Sequence, residues 1–348
     1  MATDVERKPP ADRAASPGPY EALLVVSFGG PEGPDDVMPF LENVTGGRGV
    51  PPERLAEVAK HYAEFGGVSP INAQNRELIA AIEGEIDLPV YFGNRNWHPL
   101  LPDTLRQMRD DGIRKALAFF TSAFSSYSGC RQYRENLYAA QQEVGDDAPE
   151  VARLRGFHDH PGFIAANVDR VQDALAEIPE ALRGEAVLVF TAHSIPSAMA
   201  RNCAYESQLR ETAGLVAGAV GIADHAVVYQ SRSGPPSVPW LEPDVSDHLR
   251  SLASRGVRAV VVSPIGFVSD HLEVLFDLDR EARETAGELG LAFARAGTAG
   301  THPAFVSMIR ELVEERLAAP GGRQVCAPDC CLPGTGRPSP WDVEAAVA

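Results

Sequence analysis

Positive charge is scarce in this chain. Its 31 Lys and Arg face 48 Asp and Glu, a formal charge of −17. That balance excludes the basic stripe of a nucleic-acid surface and argues against broad adhesion to anionic lipid. Long apolar runs are missing too. None approaches the roughly 20 residues that span a bilayer, so no transmembrane segment is expected. Residues 1–19 hold no apolar stretch of the signal-peptide kind; they are polar, rich in Pro and Ala, and read as a disordered lead-in. Gly29-Gly30 and Gly46-Gly47 form neither a GxGxxG turn nor a P-loop, which removes the usual phosphate-binding signatures. Cysteines number only five: Cys130, Cys203, Cys326, Cys330 and Cys331. The expected location is the cytoplasm, where a disulfide framework is excluded and clustered thiols point to a metal.

The 348 residues, 44% hydrophobic and 23% charged, suffice for two globular domains. Short, nearly continuous apolar segments at 22–28, 89–93, 115–121, 186–192, 225–230, 258–263 and 291–296 read as parallel strands buried on both faces. Helix-length amphipathic segments at 52–65, 72–85, 101–111, 162–175, 205–220, 245–255 and 304–317 alternate with them. The alternation predicts right-handed βαβ units. The expected fold is α/β, with two Rossmann-like domains, each a doubly wound parallel sheet, facing across a cleft. The first domain is expected over 20–165 and the second over 166–303, followed by a C-terminal helix at 304–318. Residues 319–348 read as a Pro/Gly-rich tail, disordered unless tethered.

Chemistry concentrates at two strand ends. The run Ser269-Asp270-His271-Leu272-Glu273 follows the strand at 258–263, and a helix starting near Asp270 would stack Glu273, Asp277 and Glu281 on one face. Three stacked carboxylates repel one another and add nothing to helix stability, but oxygen ligands suit a hard cation or a proton. A solvated acidic face is the bland alternative. Upstream, Thr191-Ala192-His193-Ser194-Ile195-Pro196 leaves another apolar strand, and the carboxyl ends of strands are where open α/β sheets hold ligands.

These two segments resemble the ferrochelatase family, in which a histidine in an AHS-I/L-P turn faces a glutamate in an SDH-L/I-E turn across a porphyrin. His193 and Glu273 stand at those positions. The resemblance covers about residues 20–317 and implies two Rossmann-like lobes, with the last helix returning to the first. It is closest to actinobacterial members acting on coproporphyrin III. It implies a lyase of the metal-chelatase type that inserts Fe(II), with release of two protons, in heme synthesis. His193 and Glu273 would be catalytic and would meet the substrate iron; Asp277 and Glu281 would continue an outer path for protons or a hydrated ion. His271 is expected to play a supporting role at most.

Other motifs follow in the family's order. Ser27-Phe28-Gly29-Gly30-Pro31 looks like the first strand-end loop. Phe28 stands where relatives carry a donor-bearing Tyr or Met, so no ligating role survives there. Residues 40–48 correspond to the lip over the site, polar here, and Arg48 would reach a propionate. Ser69, in Gly67-Val68-Ser69-Pro70, would donate to a propionate or cap the next helix. Arg95 occupies a position that is basic in relatives, and Tyr133 is placed with it as a substrate contact. Gln230-Ser231-Arg232-Ser233-Gly234-Pro235 and Trp240 match a segment whose Trp packs near the macrocycle.

Four thiolates suit a [2Fe–2S] cluster or a structural zinc. The resemblance implies the cluster, on Cys130, Cys326, Cys330 and Cys331, pinning the tail to the first domain. Cys203 stands as the alternative to Cys130. The expected partners are coproporphyrin III, Fe2+ and, transiently, neighbouring enzymes of heme synthesis. Protoporphyrin IX is the alternative substrate. A non-catalytic porphyrin carrier and a chelatase for another metal are rival readings. The carrier would not need the three carboxylates, and chelatases for other metals tend to use paired histidines.

Overall fold

The computed structural model describes residues 19–46, 50–319 and 330–334. Eight strands form two four-stranded parallel sheets. The first has the order β2-β1-β3-β4, from β1 (Ala22–Ser27), β2 (Val90–Asn94), β3 (Lys115–Phe120) and β4 (Glu150–Arg153). The second has the order β6-β5-β7-β8, from β5 (Val187–His193), β6 (His225–Gln230), β7 (Ala259–Ser263) and β8 (Ala292–Arg295). The expected α/β class with two doubly wound sheets is the one found. Longer helices up to the middle of the chain are α1 (Val37–Thr45), α2 (Pro52–Glu64), α3 (Ile71–Glu83), α4 (Leu101–Asp110), α5 (Gln132–Val144) and α6 (Pro161–Glu177). Seven strands and seven helices lie within two residues of their expected bounds. The sequence pattern does not announce β4, α1 or α5.

Period-two alternation explains why the sheets are covered on both faces. In the first sheet Leu23, Val25, Leu117 and Phe119 face one core, while Leu24, Val26, Ala118 and Phe120 face another, which Leu101, Leu105 and Met108 of α4 cover. In the second, Leu188, Phe190 and Val261 join the first of those cores, and Val187, Val189, Val260 and Val262 face a third. One hydrophobic core therefore runs between the two sheets. It is filled by α6 and the C-terminal helix Pro303–Ala318, which pack together. Phe119 from β3, Phe157, Phe163 from α6 and Phe305 from the C-terminal helix form its aromatic centre, with ring centroids 5.3–6.1 Å apart. The C-terminal helix also packs on α3 of the first half.

A fourth, smaller cluster joins the two halves of the chain. Val37, Phe40 and Leu41 of α1 pack with Leu55 and Tyr62 of α2 and with Leu272 of the second half. Phe28 and Trp97 sit on its edge. Among the described residues no helix is long and apolar enough to cross a membrane.

Candidate active site at the sheet ends

His193 is the last residue of β5, a central strand. Its ring Nδ1 lies 2.5 Å from the Ser194 carbonyl oxygen. A carbonyl only accepts, so Nδ1 carries a proton toward it, and Nε2 faces Glu273. Tyr205 Oη donates to the His193 carbonyl at 3.0 Å, steadying the strand end. The imidazole Nε2 points at Glu273 Oε2, 3.6 Å away. The two side chains retain 34% and 48% of their exposure, so a substrate has access to both.

Glu273 reaches that place because the loop after β7 folds against the end of β5. Gly266 donates its N–H to the Thr191 carbonyl at 3.0 Å, and a Cβ there would lie 2.6 Å from Ala192 Cα. Only glycine lets the loop approach so closely. The following turn is pinned from the first half of the chain: the Asp270 N–H donates to Gln74 Oε1 at 2.7 Å, and Ser269 donates to Asn75 Oδ1 at 3.4 Å.

The helix expected from near Asp270 starts at Leu272, and its middle is not α. His271 caps it, its Nδ1 accepting from the Val274 N–H at 3.2 Å. Burial pushes the His271 imidazole pKa down, which keeps that nitrogen free to accept. A short α turn, Leu272–Val274, passes into a π-helix, Leu275–Ala282, and then back to α over Arg283–Glu288. An extended π segment is rare and clusters at functional sites. This acidic helix carries Glu273, Asp277 and Glu281 in succession.

Asp277 is largely enclosed, and burial pushes its carboxyl up to about 7. Ser231, in a left-handed conformation at φ 59°, donates its hydroxyl to Asp277 Oδ2, and Gln230 Nε2 donates to the same oxygen at 3.2 Å. These bonds oppose the rise, while the nearby Glu273 and Glu281 charges add to it. Gln230 also lines a cavity of about 270 Å³, with Glu242, Asp244 and Asp247 on its wall. Glu281 is likewise raised, first by burial, with His61 opposing. His61, on α2, stacks on Phe276 at 4.0 Å, and Glu64 pairs with Arg280, so a helix of the first half covers the outer end of the acidic helix. Tyr62, beside them, has its phenol held well above the usual range by burial and by Glu273.

In the first half of the chain, the Arg95 guanidinium lies over Tyr133 at 4.4 Å and Phe28 at 5.7 Å. Its Nε donates to Asn136 at 2.7 Å and Nη1 to the Ser128 carbonyl at 3.1 Å, which hold it in place. Phe28 itself meets Phe40 edge-on at 6.3 Å. Ser69 is buried, its N–H donating to the Pro31 carbonyl at 2.8 Å. Pro70, not Ser69, takes the cap position before α3. Trp240 bridges to Pro196 in antiparallel fashion, and its indole packs on Gly234 with Nε1 buried and without a partner. Arg48 and Cys326 lie outside the described residues.

The remaining thiols converge. Cys130 sits on the π turn Tyr127–Arg131, ahead of α5. The Cys331 thiol is hydrogen-bonded with the sulfurs of Cys130 and Cys330, and these contacts, with burial, hold it above the usual thiol range. Arg131 Nη1 donates to the Cys330 carbonyl at 3.2 Å, Arg134 reaches Cys330 Sγ at 3.8 Å, and Arg153 of β4 reaches Cys130 Sγ at 2.9 Å. Cys203 donates instead to the Met199 and Ala200 carbonyls. Among the described residues no group of three or more His, Cys, Asp or Glu has the arrangement of a formed metal site, at the thiols or at the carboxylates. The donor chemistry is of the kind an iron–sulfur group uses: soft sulfurs brought together, with Arg134 and Arg153 each beside one of them. His61, Tyr62, Ser231 and Arg153 join these sites without being candidates from sequence. Ser231 lies inside a recognisable motif; the others carry no signal without the fold.

The family model described as Ferrochelatase matches residues 20–317. A ferrochelatase of Rhodopirellula baltica is 56% identical, covering 92% of this chain and 95% of its own. A coproporphyrin III ferrochelatase of Nocardia farcinica is 54% identical, covering 90% and 97%. One of Mycolicibacterium smegmatis is 55% identical, covering 89% and 94%. Among solved structures, SirB of Bacillus subtilis with Fe3+ superposes with a TM-score of 0.58 over 87% of this chain and 98% of its own, at 11% identity. That last likeness is one of fold.

Proposed function

The chain belongs to the ferrochelatase family, and from that premise we propose that it inserts Fe(II) into coproporphyrin III, yielding iron coproporphyrin and two protons. The observation that carries the choice of site is the 3.6 Å approach of His193 Nε2 to Glu273 Oε2 from two separate strand ends. Relatives named for coproporphyrin III at 54–55% identity support the substrate. Four propionates suit an arginine such as Arg95, and the resemblance offers Arg48 as a second partner.

The free macrocycle is flat and its two inner nitrogens carry protons, so both must leave as the metal arrives. The His193 imidazole is the group able to take a proton or hold the iron. Glu273 takes the other proton or shares the metal with the imidazole. Asp277, near half-ionisation at neutral pH, receives a proton from the direction of Glu273 and releases it toward Gln230 and the adjoining cavity. Glu281 extends the path to the outer end of the helix. Phe28 contributes a ring edge and no donor atom. The anionic character of this path fits a hydrated divalent ion as well as protons.

We further propose that Cys130, Cys326, Cys330 and Cys331 hold a [2Fe–2S] cluster. Bound there, it supplies a covalent tether for the tail and a one-electron couple. The site is tested with His193→Ala and Glu273→Gln. Each is expected to lower iron insertion by roughly 10²–10⁴-fold, the usual worth of a positioned acid–base group. Wild-type turnover in both would rule out this site.

A further inference from the structure

Arg295 closes β8, and its guanidinium is spent on two aspartates, one just before the acidic helix and one within it. Nε and Nη2 donate to the two oxygens of Asp279 at 3.0 and 2.7 Å. Nη1 donates to both oxygens of Asp270 at 3.1 and 3.3 Å, and to the Ala296 carbonyl at 3.4 Å. The Arg295 and Asp270 side chains keep only 12% and 14% of their exposure. Arg283 also approaches Asp279, at 3.8 Å, from the exposed side. Asp270 lies three residues before Glu273, and Asp279 two residues after Asp277. One rigid fork thus holds the chain on both sides of Glu273 and Asp277, and the π segment begins between the two anchors.

That placement has a mechanical consequence. π winding is uncommon and tertiary contacts must enforce it. Were Asp279 released, Leu275–Ala282 would be free to wind as an ordinary α-helix; the three carboxylates would keep a common face, but Asp277 and Glu281 would rotate and shift relative to Glu273 and leave the positions the π winding gives them. Were Asp270 released, the turn that aims Glu273 at His193 would lose its side-chain anchor. A lysine keeps the charge but cannot bridge two carboxylates bidentately.

We propose that Arg295 is a positioning residue for iron insertion: it sets the register of the acidic helix so that Glu273 meets His193 with Asp277 behind it. This rests on the reading of His193 and Glu273 as the groups that receive metal and protons. The Arg295 guanidinium acts on them only through the two aspartates.

The test is anaerobic Fe(II) insertion into coproporphyrin III by Arg295→Gln, Arg295→Lys and Asp279→Asn, with amide exchange over 275–282. Misplacement of about 1 Å costs on the order of 10²-fold, so Arg295→Gln should lose roughly 10- to 100-fold in kcat. Its KM for porphyrin should change by less than about threefold, since Arg95 is untouched, and 275–282 should exchange faster. Arg295→Lys should not rescue. Asp279→Asn should lose rate in the same direction, and the double variant should be no slower than the slower single, because the two act through one contact. Asp279→Asn carries the test if Arg295→Gln does not accumulate. Normal kcat per folded molecule in these variants, full rescue by lysine, or a loss confined to KM would overturn the positioning role. With His193→Ala and Glu273→Gln inactive, those results would fell this inference alone. Wild-type turnover in the latter two would fell the reading beneath it, and this inference with it.

Discussion

Asp277→Asn should make the folded protein more stable, and increasingly so as pH rises. Burial pushes the Asp277 carboxyl up to about 7 in the folded state, against about 3.9 when unfolded. Between those values the folded chain holds a proton that the unfolded chain has released, so stability falls as pH increases through the interval. Each pH unit of separation is worth about 1.4 kcal/mol, which places the full penalty of ionised Asp277 at up to about 4 kcal/mol above pH 7. Asparagine has nearly the same shape, still accepts from Ser231, and carries no charge. The stability difference, Asn over Asp, should therefore grow by about 2–3 kcal/mol between about pH 5 and about pH 8.5. Urea unfolding of both proteins at the two pH values reads this directly. In the same variant iron insertion should drop by roughly tenfold or more, since the proton acceptor behind Glu273 is gone. A difference that does not depend on pH, or an Asn variant less stable at the higher pH, would refute the burial argument. Gained stability with undiminished turnover would remove Asp277 from the proton path.

Two further predictions address other parts of the account. Cys330→Ser should abolish visible iron–sulfur absorbance and lower the melting temperature by loosening the tail from Arg131 and Arg134, while Cys203→Ser should leave the absorbance intact; wild-type absorbance in Cys330→Ser would contradict the ligand set. Gly266→Ala places a Cβ 2.6 Å from Ala192 Cα; overpacking of that kind costs about 1–3 kcal/mol. It should also push the Glu273 turn off the end of β5, so that turnover falls by more than the loss of folded protein explains.

The strand–helix alternation is legible because buried parallel strands leave unbroken apolar runs such as Ala259-Val260-Val261-Val262, and the two strand-end motifs because His193 and Glu273 lie in short local patterns. Strand β4 is not, since Glu150–Arg153 pairs only with β3 at the sheet edge and offers just Val151 and Ala152 as apolar signal. Helices α1 and α5 escape for a related reason. The first packs on α2 and Leu272 rather than on a sheet, and the second buries charged residues, Arg134 and Glu135, among its apolar ones. The π winding cannot be read from residues 270–282 at all. The ion pairs that hold it, one ahead of it and one within it, come from Arg295, on a separate strand. Asp277 is legible as an acid but not as an enclosed one, because Gln230 and Ser231, which bond to it, come from the end of β6. The meeting of Cys130, Cys330 and Cys331 is expected from family resemblance; that Arg131, Arg134 and Arg153 surround them follows only from the fold.

The most direct test of the central claim is anaerobic Fe(II) insertion into coproporphyrin III and protoporphyrin IX, side by side, followed by absorbance. The account predicts faster turnover of coproporphyrin III, whose four propionates suit arginine partners. Faster turnover of protoporphyrin IX would contradict the substrate, and insertion into neither would contradict the enzyme.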